Sequence, residues 1–170
     1  MVRNSTPLSK TSVRALILSS DGGSICLIRR EKSLEPGQPP SLYYVCPGGG
    51  VESNETEPQA LRREVREETG LSVEAASHLG TIFFNNTHQQ YWVCHYLFGS
   101  FRDANGVEHT REWQERNGLY RPEWVPLSEL KDYPLISPFL QRLLLTFPEQ
   151  GWPRKKFQIF EDERHSRRVS

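Results

Sequence analysis

The chain carries no excess of charge, few cysteines and no long apolar run. Its 21 Lys and Arg are matched by 21 Asp and Glu. A balanced chain sets up no overall field to draw it onto nucleic acid or an anionic membrane; if its substrate carries phosphates, local charges and a metal must attract it. Cys26, Cys46 and Cys94 sit far apart, each inside an apolar run and with no C-x-x-C pair. That spacing argues against a disulfide framework and fits a reducing cytosol. The opening MVRNSTPLSKTS lacks an apolar h-region, and no segment reaches membrane-spanning length. A soluble, cytoplasmic protein is therefore expected. His78, His88, His95, His109 and His165 form no ligand-spaced cluster and read as structural or exposed. There is no internal repeat and no second-domain boundary, and 170 residues fit one domain spanning 1–170, with a core over about 12–147.

Against this plain background one stretch stands out, Cys46 to Leu71: CPGGGVESNETEPQALRREVREETGL. Glu64, Glu67 and Glu68 are spaced i, i+3 and i+4, so a helix places all three on one face. Like charges at that spacing cost a few tenths of a kcal/mol per pair (about 0.2–0.5). A cation held between them accounts for the cluster better than solubility does. All-oxygen ligands select a hard ion, Mg²⁺ or Mn²⁺, over zinc. Thr56-x-x-Gln59 is a capping box, Pro58 suits a first helical turn, and Gly70 suits the left-handed position that ends a helix. Leu61 and Val65 make an apolar stripe beside the acidic one, so one side packs on a sheet while the other faces a cleft. Gly48, Gly49 and Gly50 let the main chain approach a ligand closely.

Around this stretch the chain reads as follows. Residues 1–11 form a loosely attached arm. Ser12–Ser19 and Ser24–Arg30 are strands joined at Asp21-Gly22-Gly23 as a hairpin. Residues 31–41 are a loop, and Leu42–Cys46 is a short strand feeding the glycines. Leu71–Ala75 and Gly80–Phe84 read as a bent strand, and Gln90–Phe101 as a long one. Residues 102–119 read as a mobile polar loop near the site. Glu123–Leu127 is extended, Ser128-Glu129-Leu130 starts a helical turn, and Ile136–Phe147 is a second helix. KKFQIF adds an edge strand before a charged, frayed tail.

Gly49, Glu55, Arg63-Glu64-Val65, Glu67-Glu68 and Gly70-Leu71 fill every specified position of the Nudix box, G-x5-E-x7-R-E-U-x-E-E-x-G-U with U aliphatic. From ordinary residue frequencies such a match arises by chance on the order of 10⁻⁷ per chain. The chain resembles the Nudix hydrolase family (MutT-like) over roughly residues 12–147. The resemblance implies an α/β (α+β) fold, an α/β/α sandwich with a mixed β-sheet between helices. It implies a Mg²⁺-dependent hydrolase that splits a nucleoside diphosphate linked to another moiety X, Mn²⁺ being an alternative ion.

By the same resemblance Glu64, Glu67 and Glu68 are metal ligands together with the carbonyl of Gly48, and Glu55 pairs with Arg63 to brace loop against helix. The general base stays open between Glu64 and a downstream glutamate. Family members often take a further acidic ligand from the loop before the last strand; Glu115 is the choice there, with Glu112 and Glu123 behind it. Arg29 and Arg30 are candidates for phosphate contacts, Gly49 for close approach to substrate, and Tyr44 and Phe84, among Tyr43, Tyr91 and Trp92, for stacking a base. Asn54 stands where Gly is common. Asn86 occupies the place of a proline in ADP-ribose-cleaving members, and His88 or Gln89 that of a tyrosine in diadenosine-polyphosphate members. The subgroup and X stay open. The expected partner is a small-molecule nucleotide, with no membrane; nucleic acid is disfavoured and a homodimer is left open. Two rival readings are a nucleotide sensor of the same fold without turnover, and an isoprenoid-diphosphate isomerase using Cys46.

Overall fold

Alternation along the first strand decides the layering. A computed structural model describes residues 10–33, 35–84 and 86–161. Strand β1 (Lys10–Ile17) sends Val13, Ala15 and Ile17 into one buried cluster and Leu16 into another. The first cluster receives Ala60, Leu61 and Val65 from helix α1 (Glu57–Thr69), the apolar stripe beside the acidic face. The second receives Leu140 and Leu144 from helix α3 (Pro138–Gln150). Strands thus lie between helices, the α/β/α sandwich expected of the sequence.

The strands form two sheets rather than one. β1 pairs in parallel with β5 (Thr87–Gly99), β5 antiparallel with β4 (Leu71–Phe84), and β4 in parallel with β7 (Phe157–Glu161). β2 (Ser24–Lys32) is central to an antiparallel sheet between β3 (Ser41–Val45) and β6 (Leu119–Pro126). β4 carries register shifts between Ser72 and Gly80, which is the bend read from the sequence.

The hairpin expected at Asp21-Gly22-Gly23 does not continue into a ladder. The turn is made, with Ser19 N–H donating to Ser24 O at 2.8 Å, yet β1 and β2 meet only at the bridge Leu18–Ile25 and then part into different sheets. The edge of β1 that β2 would have used is occupied by the glycine turn: Val13 N–H donates to Gly49 O (2.9 Å), Ala15 N–H to Pro47 O (2.8 Å), and Val51 N–H to Thr11 O (3.1 Å). The first strand therefore anchors the turn that shapes the site. Lys10 and Thr11 belong to this strand and not to a loose arm. The rest of that arm, and the tail beyond Glu161, lie outside the described residues.

Residues 102–119 are ordered into two short 3₁₀ turns (Phe101–Asp103 and Val107–His109) and helix α2 (Arg111–Asn117). The physical reason lies at the end of α1, whose last carbonyls need donors. Asn105 and Gly106 N–H groups donate to Glu67 O at 3.0 and 2.8 Å, and His109 Nε2 donates to Glu68 O at 2.6 Å.

Candidate active site

Helix α1 is fixed at both ends. Thr56 Oγ1 accepts from Gln59 N–H and Gln59 Oε1 accepts from Thr56 N–H, and Gly70 (φ 72°) closes the helix in the left-handed region. This sets the azimuth of Glu64, Glu67 and Glu68. Arg63 stands among the carboxylates: its Nη2 and Nε donate to Glu55 (2.5 and 3.1 Å), its Nη1 to Glu64 (2.8 Å), and its Nη2 to Gly50 O (3.0 Å). Glu67 Oε2 lies 3.6 Å from Arg63 and is half exposed. The guanidinium beside Glu55 holds that carboxyl below its ordinary range, while burial pushes Glu64 above it against the pull of Arg63.

Glu68 is the buried member, 8% exposed. Its Oε2 accepts the Gly48 N–H at 2.8 Å, and the Tyr120 hydroxyl donates to the same carboxylate. Burial pushes its pKa up to about 7, outweighing those two hydrogen bonds and the charge of Arg14, which pull it down. Gly48 (φ 144°) leaves no room for a side chain, because a Cβ there would run into the Val13 carbonyl. A Cβ on Gly49 would lie 2.5 Å from the Glu64 carboxyl carbon. The Gly48 carbonyl accepts from Arg14 Nη1 at 2.9 Å.

Glu115 is placed elsewhere. It sits on the exposed face of α2, ion-paired with Arg111 at 2.7 Å. The loop carboxylate that couples to the box is Glu108: its charge raises the pKa of Glu64 and of Tyr120, and its Oε1 is buried with no hydrogen-bond partner among the described residues. Glu108 sits two residues after Gly106, and its carboxylate occupies the space that a side chain on Gly106 would need. Only that glycine hinted at it in the sequence. Glu112 lies in the first turn of α2, and Glu123 lies on β6, where it binds Arg121 at 2.8 Å.

A cavity of about 360 Å³ adjoins the acid cluster and shares Gly48 and Glu68 with it. Tyr44 and Phe84 line it, and so do Tyr43 and Tyr91, whereas Trp92 points to the α1 side, where its Nε1 donates to Glu57 at 2.8 Å. Arg30 lines the cavity but is held under two rings, 5.2 Å from the Trp113 centroid and 4.8 Å from that of Tyr120. Arg29, the next residue on an alternating strand, points away to Glu31 and Glu123. Arg14 and Tyr120, which sequence reading did not single out, line the cavity beside Glu68. Cys46 also faces it, and burial pushes its thiol up to about 12, so the thiol is neutral and not a nucleophilic thiolate.

The NUDIX domain model matches residues 8–144. The chain belongs to the NUDIX domain family. It is a hydrolase acting on phosphoanhydride bonds, with every position of the family motif filled. A nucleoside triphosphatase NudI from Enterobacter sp. (strain 638) is 26% identical over 151 residues, covering 84% of this chain and 96% of the relative. Among solved structures, a NUDIX hydrolase from Nitrosomonas europaea superposes with a TM-score of 0.60 at 18% identity, over 84% of this chain and 90% of that one. An ADP-ribose pyrophosphatase from Streptococcus suis 89-1591 superposes at 0.56 and 18% identity, over 90% and 99%. These structural likenesses support the fold.

The family implies a divalent cation, and the donor set fits one. The oxygens on hand are the carboxylates of Glu64, Glu67, Glu68 and Glu108 and the Gly48 carbonyl, with neither thiolate nor imidazole among them. Among the described residues, Glu68 is a buried carboxylate with no basic residue hydrogen-bonded to it, and Glu108 Oε1 is a buried acceptor without a donor. Both arrangements are costly until a cation is near. As placed, no three His, Cys, Asp or Glu side chains among the described residues are close enough to hold an ion, and Arg63 pairs with Glu64 and Glu67 at 2.8 and 3.6 Å.

Proposed function

We propose that the chain is a Mg²⁺-dependent nucleotide pyrophosphohydrolase, acting as one domain on a small nucleotide substrate. The observation that carries this reading is the junction of cavity and acid cluster at Gly48 and Glu68: a ligand filling the aromatic cavity extends onto the carboxylates. Glu64, Glu67, Glu68, Glu108 and the Gly48 carbonyl would hold the ion. When bound, it neutralises bridging phosphates and lowers the pKa of the attacking water.

The chain's own residues do the rest. Arg63 and Glu55 lock the glycine turn to α1, so Glu64 keeps its place under Gly49. Tyr120 and the Gly48 N–H orient the Glu68 carboxylate. Either Glu64 or Glu68 takes the proton from water, both being carboxylates whose basicity burial has raised. The aromatic walls exclude water from the nucleotide, and free buried Cys26, Cys46 and Cys94 support a cytoplasmic setting.

The test is a panel of nucleoside triphosphates, nucleotide sugars, ADP-ribose and dinucleoside polyphosphates with Mg²⁺, and products identified. Cleavage at a P–O–P linkage, abolished by EDTA and restored by Mg²⁺ or Mn²⁺, is expected. Turnover that ignores EDTA contradicts the proposed chemistry. Silence across the panel with tight binding of one member favours the sensor.

A further inference from the structure

One residue of the cavity wall, Glu161, comes from outside the matched family domain. The domain ends at residue 144, whereas β7 runs from Phe157 to Glu161 and lies on the edge of β4. Phe84 pairs with Glu161 and Ile82 with Ile159 across β4 and β7, while Ile82 pairs with Gln89 across β4 and β5. Because side chains two apart on a strand share a face, Gln89 and Ile82 on one rung and Phe84 and Glu161 on the next stand on the same side of the sheet, and all four line the cavity.

Glu161 is incompletely satisfied there. Its Oε1 accepts the Phe139 N–H at the start of α3 at 2.9 Å, which fixes the carboxylate in place. Its Oε2 is buried and has no hydrogen-bond partner among the described residues. A buried acceptor left unpaired costs about 1–3 kcal/mol, a cost that a donor on a ligand removes. Across β4 from it, Gln89 Oε1 accepts the Tyr91 hydroxyl at 3.1 Å, and the Gln89 amide N–H₂ has no partner among the described residues. The wall therefore offers one acceptor, Glu161 Oε2, and one donor, Gln89 Nε2, fixed by their other bonds.

We infer that Glu161 reads the base of the nucleotide, and that its unpaired oxygen selects a base bearing an exocyclic amino group. The inference rests on the nucleotide-hydrolase reading above. Cytosine and adenine present an exocyclic N–H₂ that Glu161 Oε2 can accept. Uracil and hypoxanthine put a carbonyl oxygen where the amino group would be, so two acceptors face each other at Oε2. Each pair is nearly identical in size, so shape alone does not separate its members. The strand that carries Glu161 lies beyond the residues that the family model matches.

The experiment is binding of CMP against UMP and of AMP against IMP by calorimetry, with turnover of the matching triphosphates measured in parallel. Wild type should favour the amino member of at least one pair by about tenfold or more. Glu161→Gln keeps the volume and an acceptor for Phe139 N–H but turns an amide donor into the cavity. It should erase or reverse that preference, with an unchanged melting temperature showing the wall intact. Equal binding within both pairs, no binding of any of the four, or a preference untouched by Glu161→Gln overturns the inference. Base-selective binding without hydrolysis would instead fail the hydrolase reading while upholding this one.

Discussion

Glu68 and Gly48, twenty residues apart, are joined by a buried hydrogen bond of 2.8 Å from the glycine N–H to the carboxylate. The bond ties the last turn of α1 to the glycine turn, and the glycine turn in turn completes the edge of β1. The carboxylate that faces the cavity is thus part of the scaffold and part of the site at once. That double role makes Glu68 sensitive to pH.

In EDTA, stability should fall as pH rises from about 4.5 to about 7. The folded-state pKa of Glu68 is about 7 against an ordinary 4.5. Between those values the folded chain holds a proton that the unfolded chain has released, so the slope of stability with pH is negative there and levels off above. The full span corresponds to roughly 3 kcal/mol as an order of magnitude. Denaturant unfolding at pH 5 and pH 7.5 of wild type and Glu68→Gln measures it as a difference. The variant should lack this part of the loss, and saturating Mg²⁺ should offset it in wild type. Parallel pH curves for the two proteins would contradict the burial argument.

Gly49→Ala should damage catalysis more than folding. The added methyl meets the Glu64 carboxylate, the end of a side chain, so the chain can yield by moving Glu64 off its position. Turnover should drop by at least about tenfold with a melting temperature within a few degrees of wild type. The corresponding Gly48→Ala should instead impair folding, because its methyl meets Val13 backbone at a positive φ.

Glu108 and Glu115 separate a loop charge that serves the site from one that does not. Glu108→Gln should lower turnover by about tenfold or more and raise the Mg²⁺ concentration needed for half-maximal rate. Glu115→Gln, which breaks only an exposed pair with Arg111, should change neither by more than about twofold. The reverse order would return the ligand role to Glu115.

The acidic helix was legible because its information is local. Capping at Thr56 and Gln59, termination at Gly70 and the i, i+3, i+4 spacing are all written within a few turns, and each is found in place. What was not legible depends on partners distant in sequence. Asp21-Gly22-Gly23 does turn the chain, but no local signal says that Pro47–Gly49 will occupy the edge of β1 and keep β2 off it. The 102–119 segment looks mobile by composition, yet the unsatisfied carbonyls of Glu67 and Glu68 draw it into register and bring in Glu108 rather than Glu115. Arg29 and Arg30 are alike in sequence; only the pleat of β2 decides that one faces the cavity and the other does not.

The most direct measurement is steady-state turnover of Glu67→Gln and Glu68→Gln on the best substrate of the nucleotide panel, with circular dichroism to verify the fold. The acid cluster as metal-holding catalytic centre predicts a loss of about 10²-fold or more in both folded variants. Near-normal turnover in both would contradict it.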